Sequence, residues 1–423
     1  MRILHVADLH LDTPFIGVSS QLEVYQEQLI KAPYQAFERC IAIAINQAVD
    51  VVIIAGDIFD SQQQTIYAQN FFVQQLKRLE KESIPVIICY GNHDYIRSDR
   101  TPLKYSDNVH VFEDDSVSAI DLHLKNDETA RFYGFSYTTN WISERKIKQF
   151  PINPQQTDYT IGVMHAQMES STALNANYAP YSLPELLSKN YDYWALGHIH
   201  KAQILNEEPL VQYSGCIQGR HRNESGDKGA YIVELGKNQS TKNKFYSLSP
   251  IIWQNRILIA QNDWQASDII EELNQIFANY LQESKITKQS YIINITIEQS
   301  QRLDGDLVER ILDGELISAL NQNKMEEPFV VISQIRLESD VTMESFEYDP
   351  KLLESFSDAK DWLYSDEGYH KVMDSLFNHS MVKTYLFELS EDEKFRTDVL
   401  ESGEKLMIQS VGFVDIEEDN HEN

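Results

Sequence analysis

Five short polar motifs each follow directly on an apolar run: Asp8-Leu9-His10, Gly56-Asp57, Gly91-Asn92-His93-Asp94, His165, and Gly197-His198-Ile199-His200. The runs, residues 3–7, 51–55, 86–90, 161–164 and 193–196, are short and rich in β-branched or aromatic side chains, so they read as strands. In open α/β sheets a site forms in the crevice beyond the carboxyl ends of the strands. Polar clusters placed there can converge although almost 200 residues separate the first from the last. Taken singly, an Asp in a turn or a buried His has a structural explanation. Five such clusters, all at strand ends, call for a common site.

The residue types fit a pair of metal ions. In extended chain, residues two apart point the same way, so Asp8 and His10 can address one ion, as can His198 and His200. Mixed carboxylate and imidazole donors suit manganese, iron or zinc better than calcium. Two such ions about 3.5 to 4 Å apart can clamp a phosphoryl group and activate a bridging water. A pair needs a shared ligand, and Asp57 is the best candidate: Gly56 frees the backbone for a tight turn, and a carboxylate has two oxygens with which to bridge.

On these motifs the chain resembles the calcineurin-like metallophosphoesterases, and within them the SbcD-type DNA-repair exonucleases and their YhaO-like branch, over roughly residues 1–230. The resemblance implies an α/β fold, a two-sheet sandwich flanked by helices. It also implies two divalent metal ions, manganese foremost. Asp8, His10, Asp57 and His200 would surround one ion, and Asp57, Asn92, His165 and His198 the other. His93 would face the scissile phosphate, with Asp94 as its orienting partner; a positioned imidazole can donate to a leaving oxygen, and a nearby carboxylate favours its protonated form. The loop from Tyr213-Ser214-Gly215 through Arg220, Arg222 and Lys228 resembles the loop after the last ligands in YhaO-like proteins. Its three basic residues are candidates for contact with a nucleic-acid backbone, or else form a solvated basic turn.

Helical stripes lie between the first motifs. Phe37, Cys40, Ile41, Ala44, Ile45 and Ala48 form one, and Ala68, Phe71, Phe72, Leu76 and Leu79 another. By the same resemblance a metallophosphoesterase nuclease domain is expected over residues 1–250. Beyond it, a small α+β domain over 251–338 is read from a helix starting at Asp268, a strand through Ile293, Ile295 and Ile297, a helix through Leu307, Val308 and Ile311, and a strand at 329–332, and the resemblance implies that it is a cap domain. From Ser339 onward charged segments alternate with apolar residues such as Phe356, Trp362, Leu363, Leu376, Phe377, Tyr385 and Leu386, which predicts short amphipathic helices and a disordered tail from Asp415. Short helices with apolar faces need a surface on which to bury them. By resemblance that surface would be the coiled-coil base of an SMC-like ATPase of the YhaN or SbcC type, and a homodimer is also open.

Composition bounds the function. The net charge of -29 runs against a nucleic-acid partner, but residues 340–423 hold 22 acidic and 7 basic residues, so about half of the imbalance sits in the last segment. Three cysteines in separate elements, an immediate first strand and no membrane-length apolar run lead to the expectation of a cytoplasmic protein without a membrane span. The leading expectation is a metal-dependent DNA exonuclease, with endonuclease activity open. The alternative is a phosphoesterase acting on a small-molecule or protein substrate, which the same site would serve.

Overall fold

The computed structural model describes residues 1–410 apart from 16–18, 61–63, 98–102, 126, 170–177, 238, 263, 322–326, 340–349 and 380–391. The chain divides into two compact units: Met1–Asn255 with Phe277–Asn294 and Asn323–Gln334, and Arg256–Ile276 with Ile295–Gln322 and Ile335–Asn423.

The first unit is built on two six-stranded sheets. In one, β1 (Arg2–Val6), β2 (Val51–Ala55), β3 (Val86–Cys89) and β4 (Val109–Val111) run parallel, and β11 (Gly229–Gly236) and β12 (Gln239–Ser247) extend it antiparallel beyond β1. In the other, β6 (Thr129–Gly134), β7 (Tyr159–His165), β8 (Tyr193–Gly197) and β10 (Leu210–Tyr213) are parallel, with β5 (Ser118–His123) and β9 (Gln203–Asn206) antiparallel at its edges.

Alternation of side chains explains why the strands read as unbroken apolar runs. Ile3, Ala7, Val51, Ile53, Ala55 and Ile87 pack in a core with Ile161, Val163, Tyr193 and Ala195 of the opposite sheet. Their neighbours Leu4, Val6, Val52, Ile54 and Ile88 pack instead with Phe37, Ile41, Phe72 and Leu76 from helices α1 (Gln26–Asn46) and α2 (Ile66–Lys81). Both faces are covered, so both must be apolar. Each fully buried Leu, Ile, Val or Phe contributes on the order of 1.5–3 kcal/mol. On the second sheet's outer face Trp194 and Leu196 of β8 pack in one cluster with Tyr191 and Phe150 from the connecting segments.

The sequence-predicted stripes match these helices with one correction: Ala48 lies past the end of α1, in a left-handed turn with φ 46°. The side-chain oxygen of Thr65 caps α2, accepting from the Ala68 N–H at 3.2 Å. Helix α3 (Leu183–Leu187) starts on a capping box from Ser182 and Glu185.

Strands β13 (Ile251–Ile259), β14 (Ser290–Glu298) and β15 (Val330–Leu337) form a third sheet in that order. Strand β13 was not anticipated, because its middle, Gln254-Asn255-Arg256, is polar and breaks the apolar run.

Helix α4 (Ala266–Thr287) starts two residues before Asp268, whose carboxylate accepts from the Gln265 N–H. In the second unit, α5 (Gly305–Leu312) buries Leu307 and Ile311 and is capped by Asp304, and α6 (Glu315–Leu320) follows. The C-terminal stretch forms α7 (Pro350–Tyr364), α8 (Asp366–Phe377) and α9 (Glu393–Ser410). Phe356 and Tyr369 are buried there, while Trp362, Val372 and Leu376 remain exposed. Tyr385, Leu386 and residues 415–423 lie outside the described residues. Among the described residues no helix is long and apolar enough to cross a membrane.

Candidate metal centre

All five polar motifs lie at the carboxyl ends of parallel strands: three follow β1, β2 and β3 of one sheet, His165 is the last residue of β7 in the other, and the fifth begins at Gly197, the last residue of β8. Past the strands, the loops after β1 and β2 stay paired, with the Asp8, His10 and Leu11 N–H groups donating to Gly56, Asp57 and Ile58 carbonyls at 3.1, 3.1 and 2.9 Å. The expected extended geometry at Asp8 and His10 is not what brings them together. Their φ values are 51° and 44°, and Asp57 and His198 are likewise positive at 49° and 100°. Left-handed non-glycine residues are strained and cluster where surrounding structure over-determines them. Gly56, at φ 89°, has its own reason: a Cβ there would come 2.3 Å from the His165 ring nitrogen Nδ1.

Two groups of acceptor atoms result. In the first, His10 Nε2 and His200 Nε2 are 3.0 Å apart, Asp8 Oδ1 is 3.9 Å from His200 Nε2, and Asp57 Oδ2 is 3.9 Å from His10 Nε2. In the second, Asn92 Oδ1 is 3.0 Å from His165 Nε2 and 3.2 Å from His198 Nδ1, and Asp57 Oδ2 is 3.3 Å from His165 Nε2. Asp57 therefore reaches both groups through one oxygen. Its Oδ1 accepts from the His93 backbone N–H at 3.0 Å, which corrects the expectation that both oxygens are free to bridge.

The far sides of the rings set what the near sides offer. His165 Nδ1–H donates to the Ala55 carbonyl at 3.0 Å, and His200 Nδ1 sits 2.5 Å from Glu224 Oε1. His10 Nδ1 lies 3.2 Å from Asp60 Oδ1. Each partner favours a proton on Nδ1 and so leaves Nε2 as a lone pair, the arrangement by which a carbonyl or carboxylate orients an imidazole toward a metal. Lone pairs crowded 3.0–3.3 Å apart repel unless a positive charge lies among them. These separations are about the edge lengths of a coordination shell with ligand bonds of about 2.0–2.2 Å. The donor set of four imidazoles, two carboxylates and one amide fits a first-row divalent ion such as manganese, iron or zinc.

Protonation tendencies divide in the same way. In the second group burial disfavours charge on His165, but Asp57, Asp8 and the Ala55 carbonyl override it and hold the pKa up at about 9, whereas burial and the neighbouring His165 push His198 down to about 3. In the first group burial pushes His10 down to about 4; burial acts the same way on His200, but Glu224 and Asp8 outweigh it and raise that pKa. Burial alone would raise Asp57, yet His165 and His10 hold its carboxyl well below the usual carboxylate range. Electrostatics thus favours one positive charge in each group, a role a divalent cation would fill more strongly.

His93 contributes no atom to either group. Its Nδ1 lies 2.7 Å from the Asp60 main-chain oxygen, and its ring packs edge-on against His10 at 5.0 Å between centroids. Asp94, the expected orienting partner of His93, contacts backbone. Its carboxylate accepts from the Gly91, Ile58 and Phe59 N–H groups at 2.8, 2.6 and 3.3 Å, tying two site loops together, while burial and Asp57 raise its pKa to about 7.

Arg220 donates to Asp60 Oδ1 at 2.5 Å and to Glu224 Oε1 at 3.3 Å, and its side chain is only 16% exposed. Lys228 is buried. Arg222 is half-buried and donates to Gln334 Oε1 at 2.8 Å. Asp60 and Glu224, which back the rings of His10 and His200, were not singled out from sequence; the one signal available was that each acidic residue stands close to a recognised motif.

The calcineurin-like phosphoesterase family model matches residues 1–202. The chain is 29% identical over 404 residues to an uncharacterized metallophosphoesterase, YhaO, of Bacillus subtilis (strain 168), covering 93% of this chain and 94% of that one. It is 24% identical over 328 residues to the SbcD component of nuclease SbcCD of Staphylococcus epidermidis, covering 71% and 83%. With the DNA double-strand break repair protein Mre11 of Methanocaldococcus jannaschii it shares 27% identity over 251 residues, 56% of this chain and 63% of that one. A dimetal phosphatase from Danio rerio aligns over 59% of this chain and 99% of its own with a TM-score of 0.36 and 12% identity. Two facing sheets, metal-type donors at the ends of their strands and the family match agree: the first 202 residues of this chain are a calcineurin-like metallophosphoesterase domain, a domain of metal-dependent hydrolases.

Proposed function

We propose that this protein is a two-metal-dependent nuclease that hydrolyses phosphodiester bonds in DNA, acting as an exonuclease in DNA repair together with an SMC-like coiled-coil ATPase. The observation that carries the reading is Asp57 Oδ2, one oxygen within 3.3 Å of His165 Nε2 and 3.9 Å of His10 Nε2, placed between two acceptor groups. Asp8, His10, Asp57 and His200 would hold one ion, and Asp57, Asn92, His165 and His198 the other. A bound pair of such ions supplies Lewis acidity toward a phosphoryl oxygen and a water of lowered pKa.

The chain's own residues do the rest. With its Nδ1 held by the Asp60 carbonyl, His93 keeps Nε2 for the substrate, where a protonated ring can donate to the oxygen that leaves. The Asp94 carboxylate fixes the turn that carries Asn92 and His93. Asp8 accepts from the His198 N–H at 3.1 Å and so locks the loop after β8 against that after β1. DNA as substrate is supported by the relatives named as a nuclease subunit and as DNA double-strand break repair proteins, and a partner subunit by the first of these names.

A second reading, hydrolysis of a small-molecule or protein phosphoester, is favoured by the net charge of -29 and by the burial of Lys228. The two separate in one experiment. With manganese, end-labelled duplex and single-stranded DNA are compared with a generic phosphodiester; shortening of the DNA from its ends supports the nuclease, and turnover of the generic diester with intact DNA supports the alternative.

A further inference from the structure

Arg220 sits between two carboxylates, and each carboxylate backs a different imidazole of the same acceptor group. Its Nη1–H donates to Asp60 Oδ1 at 2.5 Å, and that oxygen lies 3.2 Å from His10 Nδ1. Its Nη2–H donates to Glu224 Oε1 at 3.3 Å, and that oxygen lies 2.5 Å from His200 Nδ1. The Arg220 backbone N–H donates to the other Glu224 oxygen at 2.7 Å. The forward nitrogens of the two rings then meet at 3.0 Å. The guanidinium is planar and permanently charged, and it holds two anions at a fixed separation, which a lysine's single ammonium would not do.

The other acceptor group is backed differently: His165 rests on a main-chain carbonyl, which needs no side chain to hold it. We propose that Arg220 is a positioning residue for one ion only, the one held by His10 and His200, and that it acts through Asp60 and Glu224 and through its own Nη2, 3.2 Å from His200 Nδ1, and not by touching substrate. This rests on the two-metal reading above.

Its side chain could otherwise have been a phosphate contact, and the two roles differ in what they predict. A phosphate contact contributes to DNA affinity and to its salt dependence, by about one unit of slope for each phosphate neutralised. A residue behind the ligands contributes to metal affinity, where removal of such a partner typically weakens binding about 10–100-fold.

The experiment is a manganese titration of the full chain by calorimetry, with electron paramagnetic resonance separating isolated from paired ions. Wild type takes up two ions. Arg220→Gln is expected to weaken one of them about 10–100-fold and leave the other unchanged, so that a resonance of isolated manganese persists where wild type shows a pair. Glu224→Gln, which keeps the side-chain volume, is expected to weaken the same ion, and the double variant to lose little more than the larger single effect. Salt dependence of DNA binding should match wild type.

Fewer than two ions in wild type would remove the two-metal reading and this proposal together. Two ions in wild type with unchanged affinities in Arg220→Gln and in Glu224→Gln overturn the proposal alone, as does an equal loss of both ions. A shallower salt dependence with intact metal binding overturns it in favour of a phosphate contact.

Discussion

His165, the last residue of β7, donates its Nδ1–H at 3.0 Å to the carbonyl of Ala55, the last residue of β2 in the opposite sheet. One side chain thus joins the two sheets at the edge of the site and presents its other nitrogen to Asn92 and Asp57. The ring is fully buried and packs edge-on against Tyr137. His165→Ala should therefore do more than abolish hydrolysis: it leaves a buried carbonyl without its donor, at a cost of about 1–3 kcal/mol. Urea unfolding with metal chelated isolates that cost from lost metal binding, and unchanged stability would show that the bond carries none.

His93→Ala should keep both ions and lower turnover about 10²–10⁴-fold, because His93 lends its Nδ1 to a backbone carbonyl and no atom to the acceptor groups. Manganese binding measured beside the rate checks this. Loss of an ion would make His93 a ligand.

Asp94→Ala should act on stability first. Its carboxylate satisfies three backbone N–H groups, two of them in the loop after β2, and stranding those donors should cost about 2–4 kcal/mol. Asp94→Asn keeps an acceptor oxygen and should recover part of the loss. Equal stability of wild type and Asp94→Ala in urea, with a lower rate, would instead return Asp94 to a purely catalytic role.

His5 gives the fold a pH dependence of its own. It lies in β1 against the other sheet, its Nδ1 is hydrogen-bonded with the Tyr193 hydroxyl at 2.7 Å, and burial pushes its pKa from 6.5 down to about 3. A depressed pKa means that the unfolded chain takes up the proton first. The associated stability is complete above about pH 6.5 and drains away as pH falls toward 3, by at most about 1.4 kcal/mol per pH unit. His5→Gln should flatten that slope between pH 7 and 5 in denaturant titrations; parallel slopes would contradict it.

Removing residues 340–423 takes away only part of the second unit. The truncated chain should stay folded and hydrolyse a generic phosphodiester with manganese, yet lose co-purification with a coiled-coil ATPase. Trp362, Val372 and Leu376 are exposed apolar residues of α7 and α8, so Leu376→Glu should mimic the second effect in the full chain. An inactive or insoluble truncation would show that these helices serve the fold.

The donor residues were legible because each follows a strand and strands betray themselves by apolar runs. Phe37 and Phe72 were legible through helical spacing. Asp60 and Glu224 were not, since an acidic residue that backs an imidazole looks in sequence like any surface acid. Arg220 was seen, but as a cation free for substrate: sequence reports that a charge exists and not which carboxylates have claimed it. Strand β13 was missed where a polar centre interrupts the apolar pattern, and the left-handed backbone at Asp8 and His10 leaves no periodic trace at all.

That left-handed backbone bears on how such a domain could change over generations. At Asp8 and Asp57, with φ of 51° and 49°, most side chains would be strained, but asparagine and glycine are at ease. Asparagine also keeps the shape of aspartate and discards its charge. A descendant that gave up hydrolysis while keeping its architecture would therefore pass most easily through Asn at either of these positions, and a domain bearing Asn at one of them would be folded, silent and one base change from its ancestor's chemistry.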